Sequence, residues 1–347
     1  MTKPKSAFQT STHTIFATET PGLYRVDPGG ARLELSLERQ VIPPELATPE
    51  MERAVTAWLL ARGGRRLNLN GKTGHITPQW LDRPPATTPR RVVSIAPSNA
   101  EIMGVLDATA LLVGVESSSD FPPEVNNLPR VGSDLNVEMD RLKELEPDLV
   151  LASLTVPGME RNITALDRLG LPMLVLAPRN LAEIRGDILR VGQALGREQQ
   201  AVEVTQNLMA REQAFRLQRK ESTRVYLEWW PKPMFSPGGS CWSNELIDLA
   251  GGQNVFQHLP GQSGEVTVEQ VVAADPEVIF ISWCGVPWEK LDPAHVLARE
   301  GMEQVSAVRN GRVYPVDEAL LGRPGPRVLD GLTRMAESIA VGTKPVG

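Results

Sequence analysis

Residues 140 to 153, DRLKELEPDLVLAS, return 129 positions later as EQVVAADPEVIFIS at 269 to 282, with acidic, apolar and proline positions in register. In each copy an acid (Asp140, Glu269) opens a short amphipathic helix. An acid-Pro-acid turn then stops it, Glu146-Pro147-Asp148 in one copy and Asp275-Pro276-Glu277 in the other, because proline cannot continue a helix. A short, continuously apolar run follows, the pattern of a strand buried on both faces. The echo predicts two similar α/β lobes, and paired lobes of this kind close over something held between them.

At 347 residues the chain has room for two or three domains, each with its own core. Alternating stretches at Thr14 to Ala17 and Ala31 to Ser36 predict strands, with Asp27-Pro28-Gly29-Gly30 as the turn between them. Thr48-Pro49-Glu50 has the cap, proline, acid order of a helix start, running to about Arg62 before Gly63-Gly64. The proline-rich stretch from Arg83 to Pro89 reads as a linker. From Arg90 strands and helices alternate: strands at Arg91 to Ile95, Leu111 to Val115, Asp148 to Ala152 and Met173 to Ala177, and a helix at Ser98 to Leu106 with Ser98 as its cap and Glu101 at capping-box spacing. A long polar helix from about Arg197 to Lys220 leads into a second set. That set has a strand at Arg224 to Glu228, a helix at Asn244 to Ala250, a strand at Arg312 to Val316 and a helix at Arg327 to Ala340.

The fold expected is therefore α/β: two lobes, each a parallel sheet wrapped by helices, joined by a long helix and preceded by a small α+β region. The boundaries read as 1–88 for that region, whose role the residues do not indicate, 89–182 for the first lobe, 183–220 for the connecting helices and 221–347 for the second lobe. One rigid connector favours a stiff clamp over a wide hinge.

Composition removes several functions. A net charge of −6 without a basic stripe argues against nucleic acid. No apolar run is long enough to span a membrane. The first residues carry two lysines but no apolar segment behind them, so the chain as written reads as cytoplasmic; an upstream start codon would move it to the periplasm or cell surface. Catalytic signatures are missing: no G-x-S-x-G elbow, no Walker A loop and no G-x-G-x-x-G after a strand. His13, His75, His258 and His295 form no metal-ligand spacing, and Cys241 and Cys284 lack CxxC spacing and read as buried small residues. No metal site and no intrinsic cofactor are expected.

The segment Arg91 to Pro123, RVVSIAPSNAEIMGVLDATALLVGVESSSDFPP, resembles the opening of the class III solute-binding proteins, which take cobalamin, haem and iron-siderophore complexes to ABC importers. Pro129-Arg130-Val131-Gly132 resembles the family's P-x-V-G turn, and the echoed strands, Ala250-Gly251-Gly252-Gln253-Asn254-Val255-Phe256 and Gly325-Pro326-Arg327 are similar to further landmarks. The likeness covers roughly residues 90 to 341 and is nearest to the cobalamin binders. It implies two Rossmann-like lobes joined by a long helix, a ligand in the cleft between them, and an acid on each lobe that docks onto the permease. The matching acids are Asp140 and Glu269, although the helix macrodipole alone also favours acids there.

Ligand contacts belong on loops at the carboxyl ends of strands. In the first lobe these loops hold Ser98, Asn99, Ser118, Asp134 and Ser153; at the places of Ser118, Asp134 and Ser153 the cobalamin binders that this chain resembles present aromatics. Five of seven tryptophans fall in the second lobe, and Trp229, Trp230, Trp242 and Trp283 are the candidates for stacking on a large flat ligand, with capping of the core as the alternative. Glu228, beside Trp229, has three readings: a carboxyl with a raised pKa in an apolar cleft, as a general acid needs, an acceptor for a polar ligand edge, or a partner for Lys232, and with no second catalytic group at suitable spacing no mechanism is built on it. The chain is thus read as a binding protein for a corrinoid or another metal chelate, with an ABC permease as partner if exported. The competing reading is a cytoplasmic enzyme or corrinoid-handling factor using the same fold, distinguished by turnover of the ligand.

Overall fold

A computed structural model describes residues 6–9, 14–17, 23–27, 29, 32–35, 40–41, 51, 55, 66–69, 72–75, 82–156, 158–218 and 222–341. The chain divides into two compact units. The first comprises Met1–Ala96, Val113–Ser117 and Pro129–Ala177; the second comprises Pro97–Leu112, Ser118–Leu128 and Pro178–Gly347.

The N-terminal stretch of the first unit is an antiparallel five-stranded meander of β1 (Ser6–Gln9), β2 (Thr14–Ala17), β3 (Leu23–Asp27), β4 (Arg32–Leu35) and β5 (Gln40–Val41). β3 pairs with β4, with Gly29 at φ 110 between them in sequence, so a strand lies between the two expected ones. A hairpin of β6 (Arg66–Leu69) and β7 (Lys72–His75) follows. Met51 and Val55 are helical and buried; the rest of the expected helix lies outside the described residues.

The first parallel sheet contains β8 (Val92–Ser94) and β9 (Leu112–Val115), with helix α1 (Pro97–Val105) between them in sequence. A small hairpin of β10 (Gly132–Ser133) and β11 (Asn136–Val137), helix α2 (Met139–Glu144), β12 (Leu149–Ser153), helix α3 (Glu160–Leu169) and β13 (Met173–Leu176) complete it. Strand order is β13-β12-β8-β9. Every residue of β8, β12 and β13 is buried, as a sheet covered on both faces requires. The linker is more than a spacer: Arg83 exchanges backbone hydrogen bonds with Met173 at 2.8 Å each way, and Asp82 Oδ1 accepts from Val175 N–H. The exposed edge of β13 is thereby covered. Arg83 also pairs with Asp167 at 2.8 Å.

The second unit contains α4 (Leu181–Leu195) and α5 (Glu198–Gln218), the expected long helix of 21 residues, about 30 Å by helical rise. A Cβ at Gly192 would collide with Ala201, so only glycine lets these helices approach here. The second parallel sheet, in order β17-β14-β19-β20, is built from β14 (Thr223–Glu228), β17 (Gly252–Asn254), β19 (Val278–Ile281) and β20 (Val313–Pro315). Antiparallel β15 (Trp230–Pro231), β16 (Met234–Pro237) and β18 (Ser263–Val266) form a small sheet beside it. Helices α6 (Ser243–Leu249), α7 (Val268–Ala274) and α8 (Val328–Ala340) accompany them.

The sequence echo is a structural repeat. α2 and β12 in the first unit correspond to α7 and β19 in the second, and each helix ends on an acid in left-handed backbone, Glu146 (φ 46) and Asp275 (φ 40). The following proline disfavours right-handed helix at that residue, which supplies the reason. Each turn is then fastened by an arginine at the head of the neighbouring strand. Arg91 Nε donates to the Leu145 and Glu146 carbonyls while Asp148 accepts from Arg91 N–H; Arg224 Nε donates to the Asp275 carbonyl while Glu277 accepts from Arg224 N–H. The helix starts differ from expectation in detail. Thr267, with Gln270, makes a full capping box ahead of Glu269. In α1 the first helical residue is Pro97, whose fixed φ suits that place, so Ser98 lies inside the first turn and Glu101 points to other partners.

Candidate functional site

In the first unit the carboxyl ends of β9 and β12 carry two loops. The β10–β11 hairpin continues from the end of β9, where Ser117 N–H donates to the Gly132 carbonyl at 2.8 Å. Its turn is Asp134-Leu135, pinned by a buried side chain: Asn162 Nδ2 on α3 donates to the Asp134 carbonyl at 2.6 Å. Leu135 is 38% exposed, as is Val156 (40%) on the loop after β12. Partial burial raises the Asp134 pKa, opposed by hydrogen bonds from the backbone N–H groups of Leu135 and Asp134 itself. Ser153 is buried and turned inward, its hydroxyl 2.9 Å from that of Thr155, so it shapes its own loop. Gly158, at φ 104, is fastened by Glu160, which accepts from its N–H, and Arg161, which donates to its carbonyl.

In the second unit the corresponding strand ends carry tryptophans. Trp229 follows β14 and is half-buried, its ring 5.6 Å from that of Trp242, and its indole N–H is buried without a protein acceptor. Trp230 is 39% exposed and Trp288, on the loop after β19, 48%. Trp242 and Trp283 differ from expectation: both are buried, with their N–H groups used inside the unit, Trp242 donating to the Leu321 carbonyl at 3.3 Å and Trp283 to Glu228. Glu228 is wholly buried, and its partner is Arg299, where the sequence reading offered Lys232. Its carboxylate accepts from Tyr226 Oη (2.9 Å), Trp283 Nε1 (2.9 Å) and both terminal nitrogens of Arg299, a fully occupied inventory for one carboxylate. Those bonds leave Glu228 holding its own lobe together, with no exposed edge to offer a ligand.

A second charged cluster in this unit was not read from the sequence. Arg323 donates to Asp120 (2.5 Å) and Glu318 (3.2 Å) and lies 3.5 Å from Glu101; Arg327 lies 3.3 Å from Glu101 and 4.3 Å above the Phe121 ring. Burial pushes the Glu101 carboxyl up to about 8, against the lowering pull of Arg327 and Arg323. Ser98 and Asn99 are buried beside it, and a Cβ on Gly325 would stand 3.2 Å from Glu101 Oε2 and 3.5 Å from the Ser98 carbonyl. Ser118 is exposed on the loop preceding Asp120. The available signal was the spacing Arg323-Pro-Gly-Pro-Arg327, two arginines held by prolines; their acidic partners on α1 and the 118–121 loop lie some two hundred residues away and had no local mark.

Among the described residues no group of three or more His, Cys, Asp and Glu side chains could hold a metal ion, and no helix is long and apolar enough to cross a membrane. Cys241 is buried, its thiol pushed up to about 12 by burial; Cys284 is exposed, where the sequence reading expected both to be buried.

Residues 92–320 match the model of the periplasmic binding protein family. The chain belongs to that family. As a periplasmic binding protein it is 30% identical over 261 residues to an uncharacterized ABC transporter substrate-binding lipoprotein of Bacillus subtilis, covering 72% of this chain and 80% of the relative. It is 27% identical over 277 residues to a vitamin B12-binding protein of Vibrio cholerae, covering 78% and 95%. Of solved structures, the periplasmic vitamin B12 binding protein of Vibrio cholerae superposes with a TM-score of 0.65 at 25% identity, covering 74% of this chain and 99% of that one. The periplasmic haem-binding protein of Roseiflexus gives the same TM-score at 24% identity, covering 74% and 99%, a likeness of fold. The expected fold, two Rossmann-like lobes with a helical connector, and the solute-binding class are those of this family.

Proposed function

We propose that this periplasmic binding protein captures a corrinoid, or a metal chelate of similar size and flatness, and delivers it unchanged to an ABC importer. The observation that carries the reading is the set of tryptophans that follow the strands of the second unit. Trp229 and Trp230 follow the carboxyl end of β14 and Trp288 lies on the segment that follows β19, the end where α/β sheets bind ligands, and both Trp230 and Trp288 are exposed. Leaving such rings wet is unfavourable, and stacking on a macrocycle removes them from water. The Trp229 N–H, a buried donor without a protein acceptor, favours an acceptor on the ligand. The vitamin B12-binding relatives support the class.

Within this reading Ser118 and Asp134 are contact residues on the loops of their own units, Ser98, Asn99, Ser153 and Trp283 are buried supports inside their own units, and Trp242 backs the Trp229 ring. The metal arrives with the ligand. No catalytic residue is assigned. The named relatives are a lipoprotein and periplasmic proteins, which favours a place outside the cytoplasmic membrane over the cytoplasm. Asp140 and Glu269, exposed in the first turns of the repeated helices, are the proposed permease contacts.

Tryptophan fluorescence of the purified protein, titrated with cobalamin, cobinamide, haem and a ferric siderophore, tests the reading. Saturable quenching by a corrinoid is expected, weakened about tenfold or more in Trp230→Ala, the loss of one stacking ring being worth roughly 1–3 kcal/mol. Absence of a response to all four ligands, or conversion of the bound ligand, would sink it.

A further inference from the structure

Beyond the carboxyl end of β14, in the second unit, two donors stand without an acceptor. Glu228, the acid four residues before Lys232, is wholly committed: its carboxylate takes Tyr226, Trp283 and both terminal nitrogens of Arg299. Lys232 is exposed at the turn of the β15–β16 hairpin, and among the described residues no acid pairs with its ammonium. By strand register Glu265 lies beside Phe235, one strand further from β15, and Glu269 beyond β18 is hydrogen-bonded by Thr267. The second donor is the Trp229 indole N–H, buried without a protein acceptor.

An exposed lysine is ordinary by itself; this one shares a fixed tip with an exposed ring. Trp230 Nε1 donates to the Lys232 carbonyl at 2.9 Å, which fastens the indole to the turn, and Pro231 and Pro233 fix the backbone on either side of Lys232. Behind the tip, Met234 pairs with Val266, and both are buried in the core of the unit. Lys290 repeats the arrangement two residues after Trp288, but Glu289 stands between them and offsets the charge in place. We propose that Lys232 is the anion-recognising residue of the ligand site: a macrocycle stacked on the Trp230 ring presents a carboxylate or a phosphate on its rim to the ammonium. The inference rests on the corrinoid reading above and adds the charge of the ligand's rim. An anion there accepts charge-assisted hydrogen bonds, and a stacked ligand that excludes water from the contact strengthens the attraction. The four-carbon stem of lysine lets the ammonium follow the edge of a ligand lying on the ring.

The test compares three cyanocorrinoids with the same macrocycle and metal: cobinamide, whose rim is neutral, cobyric acid, with a carboxylate in place of one amide, and cobinamide phosphate, with a phosphate at the end of that same side chain. The wild-type protein is expected to bind at least one of the two anionic corrinoids about threefold or more tightly than cobinamide, with the gap narrowing as salt screens the pair. Which of the two gains more tells a carboxylate from a phosphate. Lys232→Met keeps the backbone carbonyl that holds Trp230 and is expected to remove the gap, chiefly by weakening the anionic ligand. Lys232→Arg, which keeps the charge on a different shape, is expected to retain the gap, and Lys232→Glu to reverse it. Equal binding of all three by the wild type, an unchanged ratio in Lys232→Met, or a gap removed by Lys290→Met instead would overturn the inference while leaving corrinoid binding intact. Binding of no corrinoid would overturn the functional reading and this inference with it.

Discussion

Glu228 shows how far a residue's role depends on what surrounds it. It closes β14 between Leu227 and Trp229, and from sequence it is an acid beside an aromatic with a lysine four residues on. In the fold it is completely buried, and four donors converge on it from Tyr226, Trp283 and Arg299. Removing one partner of a buried ion pair strands the other charge. Arg299→Met is therefore expected to cost roughly 3–5 kcal/mol in urea unfolding. Adding Glu228→Gln, which removes the charge, keeps an acceptor oxygen for the Trp283 N–H and turns an amide N–H toward the Tyr226 hydroxyl, which can accept it, should recover a large part of it. Additive losses in the double variant would show that the pair does not act as a unit.

At the scale of elements, α1 is tied to the tail of the chain through Glu101, whose carboxyl is contacted on one oxygen by Arg323 and Arg327 while Oε2 has no partner. Its folded pKa, pushed up to about 8 from 4.5, means that the folded state holds this proton more tightly than the unfolded chain does. The associated stability is fully present below 4.5 and is lost as pH rises toward about 8. Urea unfolding is expected to show falling stability between those limits, with a shallower fall in Glu101→Gln. An identical slope in the variant would place the titration elsewhere; Glu318, also raised by burial, is the next group to examine. Element existence was largely legible beforehand, since β8, β12, β13, β14 and β19 all sit within a residue or two of their expected places, because fully apolar runs between turns leave few alternatives. The cap of α1 was not, because a serine and a proline in succession offer two starts and the choice depends on how the 323–327 segment packs against the helix.

For the whole molecule, the repeat gives each unit the same module with an exposed acid in the first turn of its helix. Lys143 beside Asp140 holds that carboxyl below its ordinary value, and hydrogen bonding from Thr267 does the same for Glu269. Both stay charged at neutral pH, as docking onto cationic permease residues needs. Asp140→Arg combined with Glu269→Arg is expected to abolish ligand-stimulated ATP hydrolysis by the importer while leaving ligand affinity and melting temperature unchanged. Undiminished stimulation, or recovery of the native protein from the cytoplasm alone, would count against the docking role.

The sequence by itself determined the class of fold and its duplication, because apolar runs, proline stops and acid positions are local signals that physics converts directly into strands and helix ends. It also placed the tryptophans at strand ends. Only the tertiary structure decided which of them face out and which are buried, Trp230 against Trp283. It also decided which arginine neutralises which acid: Arg299 with Glu228 across 71 residues and Arg323 with Asp120 across 203. Burial and charge pairing are sums over neighbours brought together from distant parts of the chain, and no window of sequence contains those neighbours.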